Sequence, residues 1–276
     1  MSLKAVAADT VAITDRGGYQ SPSGKRVDFS AALRAMYDGT ILYTPEDLRA
    51  LVASLAPPEP RAKTRIEVTG ETTGAALARL IVDERCEDVL ALNYASAKNP
   101  GGGFLGGAKA QEEDLARVST LYASQITKRN YYDANRAEDS MLYTDHAIYS
   151  PSVVFFRDER HALLESPFVA SIVTMPAPNA GEHFRRHPDD VTGVRDALER
   201  RIAYVLSIAR AHHQRVLVLG AWGCGVFRND PDLVATLFAN ALAHEQFAGA
   251  FERVVFAVYD RKEAVNRAPF EQRFVG

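Results

Sequence analysis

A chain of 276 residues, 47% hydrophobic and 24% charged, can bury a large core, as one big domain or two small ones. Its net charge of −3 argues against a broad electrostatic grip on nucleic acid, and two cysteines, Cys86 and Cys224, are too few for a disulfide framework. The opening Met-Ser-Leu-Lys-Ala lacks the apolar core of a signal peptide, and no apolar run reaches membrane-span length, so a soluble cytoplasmic protein is expected.

Residues 1–60 read as a helical extension packed on the core. Residues 30–37 carry Leu33 and Met36 at helical spacing. Thr44-Pro-Glu-Asp is a helix start, with a capping threonine, proline in the first turn and acids near the positive end. That helix continues through Leu48, Leu51 and Leu55 until Pro57-Pro-Glu-Pro60 stops it. This region shows no chemistry.

From Arg65 the pattern becomes strand and helix in alternation, and residues 61–276 read as one globular unit. Residues 66–68 predict a strand, and 72–86 a helix with Leu77, Leu80 and Ile81 on one face. Residues 89–93 predict a buried strand, and 147–156 and 168–175 two more. A long helix is predicted over 190–212, a continuous apolar strand over 216–219, a helix over 231–247 and a last strand over 254–258. Such alternation implies an α/β fold, a sheet covered by helices on both faces, with ligands bound outside the carboxyl ends of its strands.

Two glycine-rich loops fall at that place. The first is Asn99-Pro-Gly-Gly-Gly-Phe-Leu-Gly-Gly-Ala-Lys-Ala, leading into Gln111-Glu112-Glu113-Asp114. Glycines there let backbone N–H groups approach a ligand, and the acids fall in the first turn of a helix. Acids in that position also simply complement the helix dipole, so the glutamate pair alone leaves both readings open. Adjacent helical residues point about 100° apart, so the two carboxylates cannot flank opposite faces of a sugar as paired glycosidase acids do. One glutamate as acid and base, with the other holding a sugar hydroxyl, fits better. The helix end favours ionised carboxylates, whereas a general acid must keep its proton. Burial, repulsion among the acids or a bound diphosphate would have to resolve that conflict.

The second loop is Gly220-Ala-Trp-Gly-Cys-Gly-Val-Phe227. Its amides, backed by a helix N-terminus, suit a diphosphate, and a plain tight turn is the competing reading. The spacing is neither a dinucleotide fingerprint nor a P-loop. Phe227 either orients a sugar or plugs the core, and Trp222 is expected to be structural. The histidines near 183 and 212 show no metal-type spacing.

Taken together, these pieces resemble the poly(ADP-ribose) glycohydrolase family of macrodomain proteins, in its short bacterial type. The family signature of three glycines, a spacer and Gln-Glu-Glu stands here as Gly101, Gly102, Gly103, seven residues, then Gln111, Glu112, Glu113. Gly223, Cys224, Gly225, Val226 and Phe227 are similar to the macrodomain diphosphate loop with its trailing aromatic. The resemblance covers about residues 65–260 and implies a macrodomain-like three-layer α/β/α fold with a mixed sheet.

It further implies hydrolysis of ribose–ribose bonds to release ADP-ribose, with Glu113 as general acid and then base. Glu112 would hold hydroxyls of the neighbouring riboses, while Asn99 and Gln111 position the terminal ribose. Gly101–Gly103 and Gly223–Phe227 would cradle the diphosphate, with Phe227 orienting the ribose. No metal and no cofactor are implied. The tail bearing Asn266 and Phe270 is where macrodomains close over adenosine, and Arg267 there either meets polymer phosphates or is solvated. The partners implied are poly(ADP-ribose) and ADP-ribosylated proteins, with ADP-ribose as product and a place in the DNA damage response. No membrane or direct nucleic-acid contact is expected, and the chain is expected to be a monomer. An ADP-ribose-binding reader and a mono(ADP-ribosyl) hydrolase are the alternatives; a reader has no need of vicinal glutamates.

Overall fold

The fold is seen in a computed structural model that describes residues 1–59, 63–190, 192–260 and 265–276. The N-terminal region holds three helices, α1 (Leu3–Arg16), α2 (Ser30–Gly39) and α3 (Pro45–Ser54). Helix α3 starts where the sequence places it. The Thr44 hydroxyl accepts the Asp47 N–H at 3.2 Å, and Asp47 returns a carboxylate oxygen to the Thr44 N–H at 2.9 Å.

The region is not wholly helical, which corrects the sequence reading. Strands β1 (Gly18–Gln20) and β2 (Arg26–Asp28) form a hairpin, and β3 (Ile41–Tyr43) is an edge strand of the main sheet. Three residues are too few to show a period of two; β3 exists because Ala147, Ile148 and Tyr149 offer it an antiparallel partner far along the chain. Of the proline stretch, Pro60 lies outside the described residues.

The remaining strands are β4 (Arg65–Thr69), β5 (Val89–Tyr94), β6 (Ala147–Arg157), β7 (Leu163–Met175), β8 (Val216–Leu219) and β9 (Arg253–Ala257). The seven-stranded sheet runs β3-β6-β7-β5-β8-β9-β4. β7, β5, β8, β9 and β4 are parallel neighbours, whereas β3, β6 and β7 pair antiparallel, giving a mixed sheet. Central β5 and β8 are buried on both faces, as the apolar runs Val89-Leu-Ala-Leu92 and Val216-Leu-Val-Leu219 require.

Helices α9 (Gly193–Ala211) and α10 (Pro231–Ala243) cover one face with Leu198, Val205, Val234 and Phe238. Helices α4 (Thr73–Ala78) and α5 (Gln111–Val118) cover the other with Leu77 and Leu115. The predicted helix over 72–86 changes character after Ala78, where a π-helical turn, Arg79–Asp83, follows. Neighbouring β5 and β8 therefore send their chains to opposite faces, α5 to one and α10 to the other. A crevice opens between them at the carboxyl edge of the sheet, the place where such folds bind ligands. No described helix is long and apolar enough to cross a membrane.

Candidate active site

The first glycine loop leaves β5 and bends where only glycine is comfortable, with Gly101 at φ 65° and Gly102 at φ 57°. Phe104, fully buried against Tyr122 at a 4.9 Å ring separation, anchors the loop. Two backbone bonds, Gly102 N–H to Asn99 O at 3.0 Å and Phe104 N–H to Gly101 O at 3.1 Å, close its turns. Helix α5 begins at Gln111, so both glutamates lie in its first turn as read from the sequence.

The two carboxyls have different surroundings. Glu112 is 3% exposed and turned inward. Its Oε1 accepts from Asn93 Nδ2 at 3.1 Å and Gln125 Nε2 at 2.9 Å, and its Oε2 accepts the Ser96 N–H at 2.6 Å. Burial pushes the Glu112 carboxyl up to about 7; the three donors pull against that, and the charge of Glu113 adds to the rise. Glu113 is half-buried at the crevice and accepts the Gly103 N–H at 2.9 Å. Asp114 faces away and pairs with the buried guanidinium of Arg117 at 2.7 Å.

The other first-loop residues divide. Asn99 is exposed at the rim. Gln111 is not free to position a sugar, which corrects the expectation. Its Oε1 accepts the Tyr94 N–H at 2.8 Å, while its Nε2 donates to Leu92 O at 2.8 Å and Thr73 Oγ1 at 3.1 Å. That amide is consumed in binding the end of β5 to α5 and α4.

The second loop crosses the crevice from β8. Gly223 has φ 75°, and a side chain there would collide with Asn229 Nδ2 and with Ala177 Cβ at 2.6 Å. Buried Asn229 locks the loop by donating its N–H to Gly223 O at 3.1 Å and its Nδ2 to Pro178 O at 2.9 Å. Cys224 is half-buried, and burial, then Asp230 and Asp260, hold its thiol well above the ordinary range. Gly225 has open space around it and Val226 is 84% exposed, so these two form the lip. The Phe227 ring is half-buried and tilts against Tyr143 at 6.0 Å. Trp222 is fully buried, the structural place the sequence suggests.

In the tail, Asn266 donates Nδ2 to Asp260 Oδ1 at 2.7 Å and precedes α11 (Arg267–Phe274). Phe270 is fully buried and packs its ring on Phe256 at 5.2 Å and Phe274 at 6.4 Å. With no open face it cannot touch a nucleotide, which corrects its assignment as a binding residue. Arg267 pairs with Glu271 at 2.9 Å.

The chain thus brings both glycine loops and the glutamate pair to one sheet edge. The family model for the microbial-type PARG catalytic domain matches residues 7–158, more than half of the chain. The chain belongs to the poly(ADP-ribose) glycohydrolase family. The crystal structure of poly(ADP-ribose) glycohydrolase from Thermomonospora curvata is 47% identical with a TM-score of 0.92, over 99% of both chains. The Thermomonospora curvata enzyme bound to the inhibitor ADP-HPD is similar at 46% identity and a TM-score of 0.89, again over 99% of both. The enzyme from Deinococcus radiodurans in complex with ADP-ribose is 48% identical with a TM-score of 0.81, over 87% of this chain and 96% of that one. No curated protein sequence matches the chain.

Several residues of this glycohydrolase's site carry no signal in the sequence. Asn93 and Gln125 reach Glu112 from β5 and from helix α6 (Leu121–Gln125). Tyr143 meets Phe227 from a loop preceding β6. Arg201 of α9 holds that loop by donating to Leu142 O at 2.7 Å and Tyr143 O at 2.9 Å. A polar residue inside an apolar strand, as Asn93 is in Val89–Tyr94, is the one clue a reader could have used.

Proposed function

We propose that the crevice binds the ADP-ribose end of poly(ADP-ribose), on free polymer or on modified proteins, and that Glu113 performs the cleavage. As the ribose–ribose C–O bond breaks, its electron pair goes to the departing ribose oxygen, which takes the proton of Glu113. A water oxygen then bonds to the anomeric carbon and gives its proton to the Glu113 carboxylate, restoring the acid. One carboxyl serves both steps, so the opposite-face partner of other glycosidases is not needed for proton transfer.

The single observation that carries this reading is the contrast within the pair: Glu113 is open to the crevice, while Glu112 is buried under three donors. A proton donor must reach the departing oxygen, and Glu113 is the more open of the two to the crevice. Glu112, at the base of the crevice, holds ribose hydroxyls once the sugar is seated. The N–H groups of Gly223, Gly225, Val226 and Phe227 have no hydrogen-bond partner among the described residues and suit the diphosphate oxygens. Phe227, steadied by Tyr143, lies beside the ribose, and Asn99 sits at its rim. Asn266 closes the adenosine side. The complexes of the relatives with ADP-ribose and with the inhibitor ADP-HPD support this choice of ligand.

The test is release of ADP-ribose from polymer by wild type and by Glu113→Gln, with calorimetry of ADP-ribose binding to both. The variant is expected to bind ADP-ribose and to turn over at least about 100-fold more slowly. Equal rates would remove Glu113 as the acid. Binding without turnover in the wild type would make the chain a reader.

A further inference from the structure

Glu113 stands at one corner of a closed circuit. Its Oε1 accepts the Gly103 N–H at 2.9 Å, and the Gly103 carbonyl accepts the Ala108 N–H at 3.1 Å. The Ala108 carbonyl in turn accepts Arg117 Nη2 at 2.5 Å. Arg117 lies four residues after Glu113, one turn further along α5, which returns the circuit to its start. The loop is pinched where it closes, since a side chain on Gly103 would stand 2.9 Å from Ala108 Cβ. Gly103 has φ −99°, so glycine is needed there for this approach and not for its backbone angle.

Arg117 is an unusual residue for its place. Its side chain is fully buried, which arginine seldom is. Its one counter-ion among the described residues is Asp114 at 2.7 Å, and that carboxylate is 57% exposed. Its Nε has no partner among the described residues. As packing alone, a guanidinium so placed gains little over an apolar side chain, because desolvation offsets its pairing. What an apolar side chain cannot supply is the donor to Ala108.

The N-terminal helix backs the same joint. Thr10 Oγ1 of α1 donates to the Arg117 carbonyl at 2.7 Å and accepts Arg157 Nε at 3.1 Å. Ala7 of α1 packs with Phe104 and Ala116, and the Lys4 nitrogen lies 3.4 Å from where a side chain on Gly107 would begin. Both Arg117 and the loop it holds are therefore braced from one side.

We propose that Arg117 is a positioning residue for the cleavage. By holding Ala108 it fixes the Gly103 N–H, which occupies Oε1 of Glu113 and leaves Oε2 aimed at the departing ribose oxygen. Its guanidinium, buried behind the loop, touches no substrate. The inference rests on Glu113 being the acid.

The experiment compares wild type, Arg117→Met, Arg117→Lys, Glu113→Gln and the double variant Arg117→Met with Glu113→Gln. It measures kcat and KM on poly(ADP-ribose), ADP-ribose affinity by calorimetry, and melting temperature. Arg117→Met fills the space without the donor, and its kcat is expected to fall by about 30-fold as Glu113 loses its aim. ADP-ribose affinity should stay within about twofold, because the Gly223–Phe227 loop is untouched. Arg117→Lys can still reach the Ala108 carbonyl with one donor and should regain about tenfold of that loss. In the Glu113→Gln background, Arg117→Met should cost less than about twofold more, since the group it acts through is already gone.

A folded Arg117→Met with wild-type kcat would overturn the proposal. So would the pattern of general loosening: affinity falling in step with kcat, no recovery with lysine, and losses that add in the double variant. If Arg117→Met does not fold, Arg117→Gln, whose shorter amide stops short of the Ala108 carbonyl, decides by the same comparison. A fully active Glu113→Gln would instead overturn the reading of the acid, so the two failures are distinct.

Discussion

The backbone of Gly102 lies directly against the carboxyl of Glu113, with φ 57° and no room for a Cβ. The glycine run is thus required twice, by conformation and by contact with the acid. Gly102→Ala would have to adopt a left-handed conformation, costing about 1 kcal/mol, and push Glu113 aside. A carboxyl displaced by an ångström loses its aim, so polymer turnover is expected to fall by about 100-fold while the melting temperature drops by only a few degrees. Turnover close to wild type would show that the contact is unimportant.

The buried Glu112 makes stability depend on pH in a stated direction. Its carboxyl is raised from 4.5 to about 7 in the folded chain. The stability it contributes is therefore fully present below about pH 4.5 and is lost as pH rises through 7, a change of about 3 kcal/mol. Glu112→Gln cannot ionise and should lack this component. Denaturant unfolding of both proteins at pH 5 and pH 8 measures it. The wild type should lose more stability than the variant over that interval, and an equal change in the two would contradict it.

How much of this was legible in the sequence depends on the range of the interactions. Val89–Tyr94 and Val216–Leu219 announce buried strands because every residue is apolar or nearly so, and both glycine loops follow them directly. The glutamates and the loop ending at Phe227 could be placed from that pattern and from their likeness to a known family. Gln111 was misread because its amide partners are backbone groups of Leu92 and Tyr94, which no side-chain motif records. Phe270 looked like a cleft aromatic, yet its fate depends on Phe256 and Phe274 packing around it. Strand β3 was invisible for the same reason, since its hydrogen bonds come from residues more than 100 positions away.

Asn229 is the peg of the second loop. Its side chain is buried, and it joins Gly223 on one side to Pro178 on the other. Asn229→Ala keeps the N–H to Gly223 but leaves the Pro178 carbonyl without its donor, at a cost of about 1–3 kcal/mol. The loop's amides lose their fixed aim, so ADP-ribose affinity should fall by about tenfold or more in calorimetry. An unchanged affinity with lowered stability would confine Asn229 to the fold.

Asp145 supports the other wall, through Arg201 and the turn that carries Tyr143. Its oxygens accept from Arg201 Nε at 2.8 Å and from Arg200 Nε at 2.6 Å. Burial works against both members of the pair, pulling the fully buried Arg201 below its ordinary range. For Asp145 burial pushes upward too, but the two guanidiniums outweigh it and hold the carboxyl below the usual carboxylate range. Its contribution is thus present above about pH 4 and is lost as pH falls through the lowered value. Asp145→Asn leaves Arg201 buried without a counter-ion, a loss of about 3 kcal/mol at pH 7. Since the wild-type carboxylate is itself neutralised in acid, the gap between the two proteins should narrow steadily below pH 4. Urea unfolding at pH 7 and pH 3 tests both parts, and a gap that is the same at both would mean that charge at Asp145 is not what holds the Tyr143 turn.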